Sequence, residues 1–280
     1  SAGSLGLLFA PSLPLILYGI VAEIAVEDLF LAGILPGFLM LLMLSGYSVW
    51  KNRALRAPLS DFSWKEAGAA IREAAWEIPL PIVVLGGIYS GYFAISEAAA
   101  VTALYVLIVD VVILREIPLR KLPAVMRESM VLVGGILIIL GMSLASTNYM
   151  IDAGVPQKLL EYVSMLVTSQ FTFLLLLLVF LLVLGAILDI FSAIVLVVPL
   201  ILPVALQFGV HPVHLGIIFL ATMQLGYITP PVGLNLFIAS YRFDRPIIEL
   251  YLSTLPFFFI LLVSSMLIAF WPTLSLALLG

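Results

Sequence analysis

The polar residues best suited to chemistry in this sequence lie inside long apolar runs. Asp189 stands near the middle of one such run, with Ser192 three residues further on. A charge at the centre of a membrane costs about 3 kcal/mol or more unless it is paired, coordinated or hydrated. Asp189 is therefore either a functional group or a cap that accepts hydrogen bonds from the first backbone amides of a helix. The two roles are compatible.

A second polar stretch, LGYITPPVGLNLF at residues 225–237, interrupts another apolar run. Pro230 and Pro231 lack an amide hydrogen and clash with the preceding turn, so the helix must break here. Backbone freed at membrane depth is tolerated where it is buried in protein or lines a cavity. Such a break offers carbonyl groups to a cation and a half-helix N-terminus to an anion. The stretch is typical of a transporter's binding site, although a helix that the prolines only kink is the simpler alternative.

The start of the chain repeats this pattern 220 positions earlier, as the numbers of the matching residues show. The pairs are Leu5 with Leu225, Gly6 with Gly226, Pro11 with Pro231, and Pro36 with Pro256. Two broken helices, each followed by a proline-bearing helix, predict an internal structural repeat.

The composition is that of a membrane protein. The 280 residues are 64% hydrophobic and 10% charged, whereas a soluble domain carries about a quarter charged residues. The net charge of -4 gives no reason to expect nucleic-acid binding, and the absence of cysteine excludes disulfides and thiolate chemistry. Because Ser1 opens directly on a motif, we expect the chain to be the C-terminal portion of a longer protein.

The fold expected from these patterns is an all-α polytopic membrane protein with broken helices and a re-entrant hairpin. We divide the chain into five segments. Residues 1–28 form the first broken helix of the transport domain, an incomplete N-terminal repeat, and residues 29–77 form a scaffold helix and a cytoplasmic surface helix that begins with a capping box at Ser63. Residues 78–150 form the second-repeat helices, with two crossings in 78–114; residues 151–240 form a hairpin at 171–208 and the second broken helix; and residues 241–280 form a C-terminal membrane helix.

The distribution of basic residues predicts the orientation. Nine of the twelve Lys and Arg residues lie in the loops 51–77 and 115–127, which we place in the cytoplasm. The acidic loop 22–28 and the segment 149–170 then face outside. Residues 171–208 enter and leave on one face, either as a re-entrant hairpin or as two full crossings. The two broken helices run in opposite directions, which predicts inverted repeats.

The remaining polar residues give weaker indications of function. Glu97 follows Ser96 at a predicted helix start, where it is either a cap or part of the binding cavity. His211 and His214 are spaced like a metal-binding pair, but no third ligand is in sight, so we expect no metal centre there. No metalloprotease, serine hydrolase or phosphate-loop motif occurs, so we expect no enzymatic activity.

Four motifs occur along the chain: GGIYSGYFAISEAAA at 86–100, Asp189 with Ser192-Ala193, HPVHLG at 211–216, and LGYITPPVGLNLF at 225–237. Together they resemble the large membrane (permease) subunit of tripartite ATP-independent periplasmic (TRAP) transporters. Residues 3–12 are similar to that family's first broken-helix motif. The resemblance covers the length of the chain, and the motifs taken jointly are specific.

This resemblance implies a sodium-driven secondary importer of organic acids, such as C4-dicarboxylates or sialic acid, with an elevator-type transport domain. It implies Na⁺ as the coupling ion and no organic cofactor. The implied partners are a small membrane subunit, a periplasmic substrate-binding protein, the organic-acid substrate and the lipid bilayer, with no nucleic acid. The implied location is the inner membrane of a bacterium or archaeon. The alternative is a sodium/dicarboxylate or citrate symporter of related fold that works without a binding protein.

The resemblance also implies site residues by position. A second cation site falls on Asp189, Ser192, Gly226 and Thr229, and remnants of a first one fall on Ser4, Gly6 and Ser12. The expected substrate cavity involves Ser96, Glu97, Pro230, Pro231 and Asn235. Sodium takes roughly five or six oxygen donors, which unwound carbonyls and hydroxyls can supply. We expect Gly226 to give the backbone angles closed to other residues and to let it approach an ion closely.

Overall fold

All regular secondary structure is helical in the residues that the computed structural model describes, which are 3–53, 63–90, 92–167, 169–230 and 233–279, and no β-strand occurs among them. The helices are α1 (Leu13–Ala22), α2 (Val26–Asn52), α3 (Trp64–Glu73), α4 (Pro79–Tyr89), α5 (Ile95–Leu107), α6 (Leu122–Asp152), α7 (Val155–Leu166), α8 (Gln170–Ile187), α9 (Ile190–Gln207), α10 (Pro212–Gly226), α11 (Leu234–Phe243), α12 (Ile247–Phe270) and α13 (Thr273–Leu276). Short 3-10 turns cover Gly3–Leu7 and Ala74–Trp76, and a π-helical turn, Ile108–Ile113, extends α5.

Five helical segments in the described part of the chain are long and apolar enough to cross a membrane. They are α2, residues 96–113 of α5 with its π-helical extension, α8, α9 and α12. The expectation of an all-α, multi-pass membrane protein is confirmed at this level.

The chain divides into two compact units, one formed by Ser1–Lys51 with Ile138–Gly280 and the other by Asn52–Leu137. The centre of the first unit is α10, in which every residue from Val213 to Gly226 is buried. It packs against α1, α8, α9, α12 and α13. A helix that is apolar on all sides is buried inside a bundle. Because α10 is the central helix, it positions both the break that follows it and the helices around it.

Hydrogen bonds fix the N-terminal end of α10 in this unit. The Tyr18 hydroxyl donates to the Pro212 carbonyl oxygen at 2.9 Å. The buried His214 ring contacts the Ala269 carbonyl oxygen through Nε2 at 3.2 Å and the Ser275 hydroxyl through Nδ1 at 3.1 Å. Because a carbonyl only accepts, Nε2 carries the hydrogen, and Nδ1 of the neutral ring accepts from Ser275. The ring of His214 therefore joins α10 to the C-terminal turns.

Both predicted helix breaks are present, and the same order of elements follows each one. The turn Gly3–Leu7 precedes the ten-residue α1, which is followed by its C-cap Glu23 in the left-handed conformation (φ 55°) and then by α2 with its interior Pro36. After the second break, the ten-residue α11 is followed by its C-cap Asp244, also left-handed (φ 50°), and then by α12 with its interior Pro256. The helices are interrupted rather than kinked, and the matching order of elements follows the sequence offset.

The unit 52–137 contains one apolar helix that is shorter than a full crossing. The Ser63 hydroxyl accepts the Glu66 amide at 3.4 Å and caps α3, as predicted. However, α4 has 11 residues, about 16 Å at 1.5 Å per residue, against roughly 30 Å of membrane core. Of the two helices in 78–114, only residues 96–113 reach the length of a full crossing, and the two crossings of this segment stay a prediction. Pro79 occupies the first helical turn, a position that proline favours as a helix start.

Candidate functional site

The second break joins α10 to α11 through residues 227–233. Its last residue, Gly233, has a φ of 52°, in the left-handed region that favours glycine. The Thr229 hydroxyl donates to the Gly226 carbonyl oxygen at 2.9 Å, and the Thr229 amide donates to the same oxygen at 3.1 Å. Thr229 is buried. Since a hydroxyl oxygen keeps its lone pairs when it donates its hydrogen, this oxygen can still coordinate a cation.

Asp189 lies at the tip of the hairpin formed by α8 and α9, where it caps α9. Its Oδ1 accepts the amides of Phe191 at 3.0 Å and Ser192 at 3.1 Å, and its Oδ2 accepts the Ser192 hydroxyl at 2.5 Å. The capping interpretation of Asp189 is thus confirmed. A carboxylate offers about four lone-pair sites, so three hydrogen bonds leave capacity for a cation. Asp189 is also exposed, which leaves it accessible from the tip.

The tip of the hairpin and the second break meet at two glycines. A Cβ on Gly226 would lie 2.1 Å from the carbonyl carbon of Gly185, so the last turns of α8 and α10 touch backbone to backbone. Gly226 is itself the last residue of a regular helix, and the glycines with positive φ in the described residues are Gly154, Gly209 and Gly233. The expectation that Gly226 supplies unusual backbone angles is wrong. It is required because a helix crosses it closely.

A hydrogen bond also joins the tip to the break. The Tyr227 hydroxyl accepts the amide of Ile190, the first residue of α9, at 3.0 Å. The sequence-based interpretation gave no role to Tyr227 or to Gly185, although both stand inside the stretches it singled out. The signal for Tyr227 was present in the sequence, because it is the one phenol in the segment 225–237.

A cavity of about 210 Å³ opens where the tip and the break meet. Its lining includes Asp189, Tyr227, Gly233 and the last residues of α8. The volume is below the roughly 300–1,000 Å³ of typical ligand pockets but several times the ~30 Å³ of a water molecule. The cavity therefore has room for a partly hydrated ion or a very small solute.

The remaining residues of the predicted second cation site lie beside this lining. Ser192 is hydrogen-bonded to Asp189, and Gly226 packs on Gly185. The carbonyl oxygen of Thr229 approaches Gly233, being 3.0 Å from the position that a Cβ there would take. The structure therefore brings Asp189, Ser192, Gly226 and Thr229 into one neighbourhood, while their binding of a cation stays a prediction.

The first break contains the three residues predicted as remnants of a first cation site. The buried Ser12 donates its hydroxyl hydrogen to the Leu7 carbonyl oxygen at 2.7 Å, which closes this break with the same kind of bond that Thr229 makes in the second. Gly6 is exposed, with nothing within 4 Å of the position of a Cβ. Ser4 belongs to the 3-10 turn, and its side chain lies outside the described residues.

The residues predicted to line a substrate cavity lie at several helix ends. In the unit 52–137, Ser96 and Glu97 are exposed at the start of α5, and the Glu97 carboxylate accepts the Ala94 amide at 3.0 Å. The capping interpretation of Glu97 is confirmed, and its part in substrate binding stays a prediction.

In the other unit, Pro230 is exposed within the second break, and Pro231 lies outside the described residues. Asn235 is half-buried in the first turn of α11, where its amide donates to the Tyr227 carbonyl oxygen at 3.2 Å. These positions do not test whether the residues contact substrate, so that role stays a prediction.

The two histidines of HPVHLG have separate structural tasks. The exposed His211 precedes α10 and accepts the Val213 amide through Nδ1 at 3.3 Å, whereas His214 is bonded inside the bundle as described above. No group of three or more His, Cys, Asp or Glu residues able to hold a metal ion occurs within the described ranges.

The comparison with protein families decides the class of the chain. The family profile described as "Tripartite ATP-independent periplasmic transporter, DctM component" matches residues 1–274. The chain belongs to the DctM family. The resemblance inferred from the motifs is confirmed, and both helix breaks and the hairpin tip lie within the part that matches DctM.

Individual DctM relatives support this assignment. The chain is 36% identical over 280 residues to the "C4-dicarboxylate TRAP transporter large permease protein DctM" of Pseudomonas aeruginosa, covering 99% of the chain and 65% of the relative. It is 34% identical over 278 residues to the "Isethionate TRAP transporter permease protein DctMQ" of Oleidesulfovibrio alaskensis, covering 99% and 44%. It is 31% identical over 277 residues to the "Sialic acid TRAP transporter large permease protein SiaM" of Vibrio cholerae, covering 98% and 64%.

The chain therefore spans about two thirds of the first of these relatives and less than half of the second. All three are named as transporter permeases and none as an enzyme, which agrees with the expectation that this chain has no enzymatic activity.

Proposed function

We propose that this chain contributes the coupling-cation site and part of the substrate cavity to the large permease subunit of a sodium-driven importer of organic acids. One observation carries this proposal: two interrupted structures, the tip at Asp189 and the break at Thr229, are packed together beside a cavity of about 210 Å³. Each presents an oxygen that keeps lone pairs after making its structural hydrogen bonds.

The donor set supports a monovalent cation. Among the described residues that line the cavity, Asp189 is the one carboxylate, and the nearby oxygen ligands are hydroxyl and backbone carbonyl groups. Divalent calcium sites usually gather several carboxylates, whereas a set of mostly neutral oxygens stabilises less charge. One carboxylate with neutral oxygens suits Na⁺, which it neutralises without leaving an excess of charge at membrane depth.

The names of the relatives support organic acids as substrates. They include C4-dicarboxylate, isethionate, sialic acid and ectoine, all small molecules that carry an acidic group. By the same relationship, the partners are a small membrane subunit and a periplasmic substrate-binding protein, and the site of action is the inner membrane. Transport by an elevator-type movement of the two broken helices and the hairpin is part of the proposal.

The orientation of the chain in the membrane gives the first test. If the basic loops 51–77 and 115–127 are cytoplasmic, the surface helix α3 lies in the cytoplasm and the turn after α6 in the periplasm. Ala69→Cys and Ala153→Cys, both at exposed positions of a chain without cysteine, are introduced singly into the full-length transporter. We expect an impermeant thiol reagent to label position 153 but not position 69 in intact cells, and both after lysis. Labelling of position 69 in intact cells would contradict the orientation.

The coupling ion gives the second test. The full-length transporter is reconstituted in liposomes with its small subunit, and uptake of a labelled C4-dicarboxylate is measured with the binding protein outside. We expect uptake with an inward Na⁺ gradient and none when K⁺ replaces Na⁺. Equal uptake in K⁺ would exclude sodium coupling. Uptake that is equally fast without the binding protein would favour the symporter of related fold instead.

A further inference from the structure

The amide of Ile190 depends on an acceptor from a distant part of the chain. Ile190 is the first residue of α9 and is 2% exposed. The first amides of a helix have no partner inside the helix. The next two amides of α9 are bonded to Asp189, while that of Ile190 is bonded to the Tyr227 hydroxyl, 37 residues further along.

The hydrogen bond to Tyr227 is made by Ile190, the residue that directly follows Asp189. Because Ile190 is buried, water cannot readily replace the phenol as an acceptor, and an unsatisfied buried amide is strongly unfavourable. If the hydroxyl is removed, the first turn of α9 must move until its amide finds another acceptor. Asp189 precedes this amide directly in the chain, so its carboxylate moves with the turn.

We propose that Tyr227 is a positioning residue, whose hydroxyl holds the tip of the hairpin against the second break so that Asp189 faces the cavity. The inference rests on the proposed function, in which that cavity holds the coupling cation. Tyr227 lines the cavity together with Asp189, but it acts on the cation through the position of the carboxylate. The close contact of Gly185 with Gly226 lies next to Tyr227 in the chain. It sets the distance between α8 and α10 near the point where the phenol bonds Ile190.

Tyr227→Phe removes the hydroxyl and keeps the ring, so it separates the hydrogen bond from the packing. Tyr18→Phe is the matched control, because Tyr18 also makes one hydrogen bond to backbone, at 2.9 Å to the Pro212 carbonyl oxygen, away from the tip. Both are made in the purified full-length transporter with the reporter Ala186→Cys. Ala186 lines the cavity and is 6% exposed, so its thiol reports opening of the tip.

We expect Tyr227→Phe to speed labelling of position 186 by N-ethylmaleimide about tenfold, the effect of one ordinary hydrogen bond on a local opening equilibrium. Tyr18→Phe leaves the rate unchanged within about twofold. Equal labelling rates in the two variants would overturn the proposal, whatever uptake shows.

The second readout is the Na⁺ concentration that gives half-maximal uptake. Tyr227→Phe raises it about fivefold, a little under one ordinary hydrogen bond, and keeps the maximal rate, while Tyr18→Phe leaves it unchanged. An unchanged sodium requirement in Tyr227→Phe would contradict the positioning of Asp189. If the parent itself shows no sodium dependence, the proposed coupling fails, and the labelling rates alone still decide whether Tyr227 holds the tip.

A second variant tests the bond from the donor side. Ile190→Pro removes the amide hydrogen at a position where proline is well tolerated, the first residue of a helix. In that background Tyr227→Phe has no bond left to remove, so it changes the labelling rate by less than about twofold. An undiminished tenfold effect of Tyr227→Phe in the Ile190→Pro background would overturn the assignment of this bond.

Discussion

We expect Gly226→Ala to destabilise the folded transporter by about 3 kcal/mol, the upper end of the usual range for overpacking. A Cβ at this position would lie 2.1 Å from the carbonyl carbon of Gly185, 2.3 Å from its oxygen and 2.5 Å from its Cα. All three are backbone atoms, so no rotation of a side chain can make room. Either α8 or α10 must move, and the tip must separate from the break.

The measurement is the unfolding temperature of the detergent-purified full-length protein, together with the fraction that elutes as a single species. Gly46→Ala is the matched control, because Gly46 lies inside α2 with nothing within 4 Å of the position of its Cβ. A methyl group there raises helix propensity and stabilises by about 0.5–1 kcal/mol. The two substitutions are thus expected to shift the unfolding temperature in opposite directions. Equal shifts would show that the glycine contact is not tight.

The helix breaks could be predicted from the sequence because their causes are local. Two adjacent prolines remove two amide hydrogens and clash with the preceding turn, so the pair Pro230 and Pro231 predicts an interruption without knowledge of the fold. The single prolines inside α2 and α12 leave those helices continuous. The capping roles of Asp189 and Glu97 are local for the same reason, since a side chain accepts amides two or three residues away. The repeated order of elements followed from the spacing of prolines and glycines alone.

The contacts that assemble the site could not be predicted in this way. Gly226 meets Gly185 across 41 positions of the chain, and Tyr227 meets Ile190 across 37. Such pairs depend on how α8 and α10 cross, which no short-range rule supplies. The role assigned to Gly226 was wrong for this reason, because glycine serves both unusual backbone angles and close approach, and only the packing distinguishes the two.

The length of α4 shows a limit of composition. An apolar stretch of 37 residues at 78–114 is long enough for two crossings, but apolar character does not determine where a helix starts. Pro79 begins α4, and Tyr89 ends it after 11 residues. The start signal was in the sequence, whereas the end depends on the turn in which Phe93 folds back on Gly87, with a backbone hydrogen bond of 3.0 Å.

The cation site predicts a second large effect, this time on transport rather than on folding. Thr229→Val keeps the shape of the side chain and removes its oxygen. The Gly226 carbonyl oxygen still accepts the Thr229 amide at 3.1 Å, so the backbone stays satisfied and little folded protein is lost. We expect the Na⁺ concentration for half-maximal uptake to rise about tenfold, equivalent to about 1.4 kcal/mol. Thr254→Val is the matched control, because its hydroxyl also bonds a backbone carbonyl oxygen, that of Leu250, at 2.9 Å in α12.

Asp189→Asn separates the two roles of the carboxylate. Asparagine caps a helix about as well as aspartate, so it can accept the amides of Phe191 and Ser192 and keep the first turn of α9 intact. The charge is lost, and with it the strongest attraction for a cation in the lining of the cavity. We therefore expect normal folding and an Na⁺ requirement raised about tenfold, as for Thr229→Val. An unchanged requirement in Asp189→Asn would reduce Asp189 to a cap, and an unchanged requirement in Thr229→Val would remove the second break from the cation site.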